Sequence, residues 1–187
     1  MLDLSFDPFP VLSTQRMLLR AVVPSDRDAL FALRSDPRVM RHIARPIAKT
    51  LDDASKLMDV FRESLETKIG IVWAMTLHGD AKLIGTVGLW RIVAEHHRAE
   101  LGYLLAPSLW GRGLTQEASS AVVEHAFEKF RFHRLEACIA PENAASIRVA
   151  ERLGFKREAH FTQNFHFEGA FLDTLVYGLV RSSPARA

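Results

Sequence analysis

The stretch from Glu100 to Phe130 constrains the fold more than any other part of the chain. Its opening residues, Glu100-Leu101-Gly102-Tyr103-Leu104-Leu105-Ala106, are aliphatic and aromatic, and Pro107 stops them. That pattern reads as a buried strand. Pro107-Ser108 starts a turn, and Gly111 and Gly113 give the backbone conformations closed to other residues. From Thr115 a helical period takes over: Ala118, Val122 and Ala126 form one row, with Val123, Phe127 and Phe130 beside it. A strand, a glycine turn and a helix start make an anion site. The free N–H groups of Arg112, Gly113, Leu114, Thr115 and Gln116 would converge, backed by the positive end of the helix dipole. The expected guest is a phosphate or pyrophosphate. A nucleoside-triphosphate loop is excluded, because no Gly-Lys pair occurs in the chain. A dinucleotide fingerprint would need a third glycine and a ribose-binding acid, and neither is in place. A Gly-X-Gly turn is also a common plain connector, so the turn alone leaves both readings open.

The 187 residues are expected to form one domain, 1–187, with 48% hydrophobic residues to build its core. A net charge of +2, with no basic run, argues against nucleic-acid binding. No apolar stretch is long enough to span a membrane, and the first residues lack a signal peptide's basic region, so a cytoplasmic location is expected. The single cysteine, Cys138, sits in an apolar run and reads as a buried thiol.

Other elements follow from local signals. Residues 1–13 form an arm or edge, and Gln15 to Val23 reads as the first strand. Ser25 is the expected cap of a first helix carrying Leu30 and Leu33. A short helical piece spans Val39 to Ile43, and Thr50 caps a longer helix with Ala54, Leu57, Met58, Phe61 and Leu65 on its stripe. Strands are expected at Ile69–Leu77, Lys82–Val93 and Arg134–Ala140, and two more, Lys156–Phe167 and Phe171–Val180, join at Glu168-Gly169. Asn143 opens a last helix that ends at Gly154, and the tail from Arg181 looks frayed. The pattern is α+β, with parallel strands on either side of the central helix.

Three blocks in order resemble one family. Trp110-Gly111-Arg112-Gly113-Leu114-Thr115-Gln116-Glu117-Ala118 resembles the acetyl-CoA loop of the GNAT acetyltransferases, in the branch of the ribosomal-protein N-terminal acetyltransferases (RimJ and RimL type). Asn143-Ala144-Ala145-Ser146-Ile147-Arg148-Val149-Ala150-Glu151-Arg152-Leu153-Gly154-Phe155 matches the second block, and Thr14 to Arg20 matches the branch's opening strand. The resemblance implies the GNAT fold, a mixed, mostly antiparallel sheet of about seven strands flanked by about four helices, with a parallel pair around the cofactor. It implies transfer of an acetyl group from acetyl-CoA, without a metal, to a primary amine by direct attack in a ternary complex. The acceptor is either a protein N-terminal α-amine or a small-molecule amine, and the enzyme a monomer or homodimer. A non-catalytic acyl-CoA-binding sensor of the same fold is the alternative.

The chemistry needs a cofactor cradle, a neutral amine and a proton for the departing thiolate. An α-amine with a pKa near ~8 is about a tenth neutral at pH 7, whereas a lysine near ~10.4 is neutral only about once in a few thousand. The resemblance makes Glu100 the candidate base, and pairing with Arg98 or Arg91 is the competing structural reading. By alternation Glu100, Gly102 and Leu104 share one face, and Leu101, Tyr103 and Leu105 the other. His96 and His97 rank behind Glu100. Ser146 is the candidate proton or hydrogen-bond donor on the thiol side, or a support for its helix turn. Ala150 stands where the general GNAT pattern has a tyrosine, so the chain follows the serine version. The cofactor set implied is Leu104, Leu105, Arg112, Gly113, Leu114, Thr115, Gln116, Asn143 and Arg148. Arg148 and Arg152 form a like-charge pair that a phosphate, or Glu151, would relieve. Rim-type enzymes carry a proposed catalytic glutamate in the penultimate strand, and alignment puts Phe165 there. Phe161, Phe165 and Phe167 read as core or dimer packing, and Arg38, Arg41, His42 and Arg45 as an acceptor border or a solvated face.

Overall fold

The computed structural model describes residues 2–181. One sheet of eight strands organises them, in the order β1-β2-β3-β4-β5-β6-β8-β7. The strands are β1 (Leu12–Ser13), β2 (Met17–Ala21), β3 (Ile71–Leu77), β4 (Gly85–Val93), β5 (Arg98–Leu105), β6 (Arg134–Ile139), β7 (Lys156–Phe167) and β8 (Ala170–Val180). Every neighbouring pair is antiparallel except β5 and β6, which the helix α4 (Leu114–Glu128) connects. Such a parallel pair requires a crossover, and α4 supplies it. The remaining helices are α1 (Arg27–Ser35), α2 (Pro37–Met40), α3 (Leu51–Glu66) and α5 (Ala144–Arg152).

The sheet is covered on both faces, and side-chain alternation decides which cover each residue meets. Ile71, Trp73 and Met75 of β3 pack with Ala118, Val122 and Ala126 of α4 and Ala150 of α5 in the main core. Val72 and Ala74 face the other way, onto Leu30 and Leu33 of α1 and Phe61 of α3. β3 is therefore buried along nearly its whole length. On β5 the same alternation puts Leu101, Tyr103 and Leu105 on the α4 face and Leu104 on the α1 face.

The expected strand count of about seven becomes eight because the arm adds the two-residue edge strand β1. That arm is tied down: Trp73 donates its indole N–H to the Pro10 carbonyl (2.6 Å), and Phe6 packs edge-on against Phe130. Ser25 does not cap α1. Pro24–Asp26 is a 3₁₀ turn, and Asp26, 3% exposed, accepts from the Val23 N–H and pairs with the Arg20 guanidinium (2.7 Å). Buried Asp26 thus organises the turn from within. The short helix is Pro37–Met40, not Val39 to Ile43, and Asp36 caps it. Thr50 caps α3 in a capping box with Asp53, as its sequence predicts. Glu168 and Gly169, both at positive φ, make the two-residue turn between β7 and β8. The expected frayed tail lies, beyond Arg181, outside the described residues.

Candidate active site

β5 and β6 pair for only three residue steps, from Arg98 opposite Arg134 to Glu100 opposite Glu136. Past Glu100 the strands part, while β5 stays paired with β4 as far as Leu105. One backbone edge of β5, Leu101 to Leu105, is thereby left without a neighbouring strand and opens into a cavity of about 2130 Å³. Trp110 closes the strand's end by donating its indole N–H to the Leu105 carbonyl (2.8 Å).

The turn after β5 delivers the chain to α4 through two left-handed glycines, Gly111 (φ 75) and Gly113 (φ 76), the second being the cap of α4. The first helical bond runs from the Glu117 N–H to the Gly113 carbonyl (3.1 Å). The N–H groups of Arg112, Gly113, Leu114, Thr115 and Gln116 find no acceptor among the described residues. Gly113, Leu114, Thr115 and Gln116 line the cavity, as do Leu104 and Leu105. Arg112 is outside that lining, and its carbonyl takes a hydrogen bond from Arg16 (2.9 Å). The Oε1 of Gln116 is buried without a partner, beside the bare amides.

A clamp from the opening strand holds this loop. The Glu117 carboxylate accepts from the Thr14 hydroxyl (2.6 Å), the Arg16 N–H (2.8 Å) and the Arg16 guanidinium (2.7 Å). Burial pushes the Glu117 pKa up, but these hydrogen bonds outweigh it and hold the carboxyl below its ordinary value. Sequence reasoning placed Thr14, Arg16 and Glu117 in the motif blocks and missed that they touch. The signal was an acid in the first turn of a helix, which also suits the dipole.

Across the opening, Asn143 caps α5 by accepting from the Ser146 N–H (3.1 Å). The Ser146 carbonyl accepts from the Tyr103 hydroxyl (3.3 Å), so Tyr103 of β5 stands beside Ser146 of α5. Burial raises the Tyr103 pKa, against a smaller lowering by the Ser146 side chain beside it. Sequence reasoning noted the missing tyrosine at Ala150 and did not find this one, which reaches the same helix from the strand. Arg148 and Arg152 both line the cavity, and neither has a carboxylate partner among the described residues. Glu151 does not bridge them; its charge acts on Tyr177.

Glu100 faces the other side, towards α1 and α3, and its carboxylate pairs with Arg91 (2.9 Å). A bulge in β4 between Trp90 and Val93, with Arg91 at φ 47, accompanies that contact. Of the two arginines expected to compete for Glu100, Arg91 takes it, and Arg98 pairs with Glu136. His96 and His97 lie at the far end of β5 and do not line the cavity.

Cys138 corrects an expectation. It is exposed rather than buried, opening into the cavity on the Glu100 face, because Leu135, Ala137 and Ile139 take the core side of β6. Partial burial and the nearby Glu100 carboxylate push its thiol up to about 11, far from a reactive thiolate. Phe161, Phe165 and Phe167 are likewise not core residues: all three line the cavity, and Phe161 is 50% exposed.

The strand, the glycine turn and the bare helix N-terminus meet as the sequence blocks imply, and the open edge of β5 is added by the structure. The model of the acetyltransferase (GNAT) domain family matches residues 16–156. The chain belongs to the GNAT acetyltransferase family. A Bacillus subtilis (strain 168) relative called an uncharacterized N-acetyltransferase, YoaA, is 32% identical over 173 residues, 92% of this chain and 98% of the relative. Two solved GNAT structures share the fold. RimL, a ribosomal L7/L12 α-N-protein acetyltransferase in complex with coenzyme A, superposes with a TM-score of 0.83 at 19% identity, covering 91% of this chain and 98% of that one. A Vibrio cholerae spermidine N-acetyltransferase in complex with CoA and spermine superposes with a TM-score of 0.77 at 21% identity, covering 88% and 95%.

Within this GNAT domain, β5 separates two kinds of chemistry. Its open edge, the α4 N-terminus and α5 offer main-chain donors and two unpaired arginines, which suit a phosphate-bearing cofactor. Its other face offers a carboxylate, a thiol and the aromatic wall of β7 and β8. No helix among the described residues is long and apolar enough to cross a membrane.

Proposed function

We propose that this GNAT enzyme moves the acetyl group of acetyl-CoA onto a primary amine, by direct attack in a ternary complex. The observation that carries the reading is the open edge of Leu101–Leu105 running into the unpaired amides of residues 112–116. The residues present fit coenzyme A. The amides and the helix dipole would hold its diphosphate, the buried, unpartnered Gln116 Oε1 awaits a donor, and the free strand edge would take the amide-bearing arm like an added strand. Arg148 supplies a cation for a further phosphate. When bound, acetyl-CoA supplies an activated thioester carbonyl.

The chain's own residues then handle the amine and the protons. Glu100 accepts the ammonium proton of the acceptor, directly or through a water, and Arg91 fixes where that carboxylate sits. On the opposite face, the Ser146 hydroxyl donates towards the departing sulfur, while Tyr103 spends its own proton on the Ser146 carbonyl and so holds that turn of α5 in place. Asn143 holds the first turn of α5 so that Ser146 faces the opening. The RimL neighbour acts on a protein α-amine and the V. cholerae neighbour on spermidine, so the shared fold is compatible with either acceptor class.

Glu100→Gln tests the base. Loss of a general base costs on the order of 10²–10⁴ in rate. Acetyl transfer, followed by thiol release, should fall by that order while CoA affinity holds. Unchanged transfer would remove Glu100 from the mechanism. Wild-type protein that binds acetyl-CoA but releases no thiol with any peptide or amine would instead favour a sensor.

A further inference from the structure

The face of the cavity opposite the cofactor residues has a charge of its own. Arg34 at the end of α1, and Arg41, Arg45 and Lys49 in the segment between α2 and α3, line it together. None of the four has an ion-pair partner among the described residues, and none donates a side-chain hydrogen bond there. Arg38 lines the same wall but is neutralised: its guanidinium grips Asp36 (2.6 Å), which that contact holds down at about 2. Acids on the same segments do not reach the cavity. Asp53 is used in the α3 cap, Asp52 pairs with Lys56, and Asp59 pairs with Arg62. On the facing elements, Glu100 is held by Arg91 and Asp173 by His160, which leaves Glu142 and Glu168.

Part of this has a plain structural reason. Arg34 lies in the last turn of α1, where the helix dipole favours a cation. The dipole does not explain Arg45 beside it: burial and the charge of Arg45 both work against the Arg34 cation. A half-buried guanidinium, Arg34, and an exposed one, Arg45, on the same wall repel unless an anion lies between them. CoA phosphates are poor candidates for that anion. α1 and α3 pack on the Glu100 face of the sheet, whereas α4 packs on the other. The same cavity is lined by Phe161, Phe165, Phe171 and Leu172 of β7 and β8, with Phe171 63% exposed.

Resting on the acyl-transfer reading, we infer that the acceptor is an amine carrying a carboxylate, which the Arg34–Lys49 wall binds, and not a polyamine. A multiply cationic acceptor meets four unpaired positive charges on that wall. An acidic amine meets complementary charge there, with its apolar part against the aromatic wall of β7 and β8. Two sources share this chemistry, a free amino acid and a peptide N-terminus with acidic side chains.

The test uses the full chain saturated with CoA, so that binding is read without turnover. Calorimetry compares an Asp-Glu dipeptide amide, its Asn-Gln isostere as the same C-terminal amide, free glutamate and spermine, and thiol release with acetyl-CoA is followed in parallel. Asp-Glu should bind about tenfold or more tighter than Asn-Gln, as expected for one charge-assisted contact, with the gap narrowing as salt rises. Spermine should bind weakest. Glutamate binding as well as Asp-Glu would identify the free amino acid as the source, and glutamate binding like Asn-Gln would identify the peptide. Arg34→Gln/Arg45→Gln should erase the gap with CoA affinity unchanged. Arg41→Gln/Lys49→Gln, at exposed positions that the fold does not need, should narrow it. The proposal is overturned if spermine binds as well as Asp-Glu, or if the double variants lower CoA affinity and leave the peptide gap intact. Preferential binding of Asp-Glu without any thiol release would sink the acyl-transfer reading and leave the acidic subsite standing.

Discussion

Thr115→Glu separates the cofactor seat from the stability of the helix that forms it. Thr115 is the second residue of α4, half-buried and part of the cavity lining. Without ligand, a carboxylate there meets the positive end of the helix and the unpaired amides around it, which stabilises by about 0.3–1 kcal/mol. For a protein of this size that raises Tm by roughly 1–4 °C. With CoA the sign reverses if the diphosphate takes the same amides, as proposed. A carboxylate about 5 Å from one phosphate charge, at an effective dielectric near 20, costs about 3 kcal/mol. That is roughly a hundredfold in Kd. The assays are a thermal melt and a calorimetric titration with CoA, with Thr115→Gln as the neutral control of similar size. A variant that melts higher and binds CoA about a hundredfold more weakly fits no account based on general damage. Normal CoA affinity in Thr115→Glu would refute the placement of the diphosphate on this helix.

Two smaller perturbations probe the supports of the site. Asn143→Ala removes the cap of α5 and should cost about 1 kcal/mol, or roughly 2–4 °C in Tm, and an unchanged melt would mean that the bond to the Ser146 N–H is worth nothing. The Glu117 clamp should be acid-sensitive: its folded pKa is depressed, so its contribution is complete above the unfolded carboxyl value of about 4.3 and is lost as pH falls through the lower folded one. The Tm gap between wild type and Glu117→Gln should therefore be widest near neutrality and close below about pH 4, and a gap that stays constant would show that the carboxylate is not what holds the loop.

The parts of the fold legible in the sequence are those whose cause is local. Gly111 and Gly113 announce a left-handed turn, Thr50 with Asp53 announces a capping box, and Asn143 announces the start of α5. Ser25 failed for the complementary reason. Ser25 and Asp26 are both good caps, and only Arg20, arriving from β2, decides that Asp26 is the one drawn into the interior. For Cys138 two local signals conflict: a small apolar thiol points inward, but Leu135, Ala137 and Ile139 claim the core side of β6, which leaves Glu136 and Cys138 on the other, and parity prevails. In β7 the pairing with β8 shifts between Phe161 and Phe165, with Gln163 at positive φ. Phe161, Phe165 and Phe167 nonetheless share one side, as alternation has it, and all three line the cavity; what alternation does not tell is that this side is left uncovered.

The same distinction divides the candidate site. The side proposed for the cofactor is built from main-chain groups, and main-chain geometry is written in short blocks: a strand that stops at a proline, two glycines, a helix start. A motif can carry it because few residue types permit those backbone angles. The side proposed for the acceptor is built from side chains delivered by separate pieces of chain. The end of α1, the segment after α2, the bulge at Arg91, Cys138 of β6 and the β7–β8 hairpin all contribute, and no period or spacing links them. Arg41, Arg45 and Lys49 are exposed on irregular chain, so the core does not dictate their identity. A wall assembled in this way can exchange its charge without disturbing the seat that the helix N-terminus provides. On one fold, the cofactor seat can therefore stay fixed while RimL takes a protein α-amine and the V. cholerae enzyme takes spermidine. The identity of the acceptor should accordingly be read from the sign of the charge facing Glu100, which here is positive.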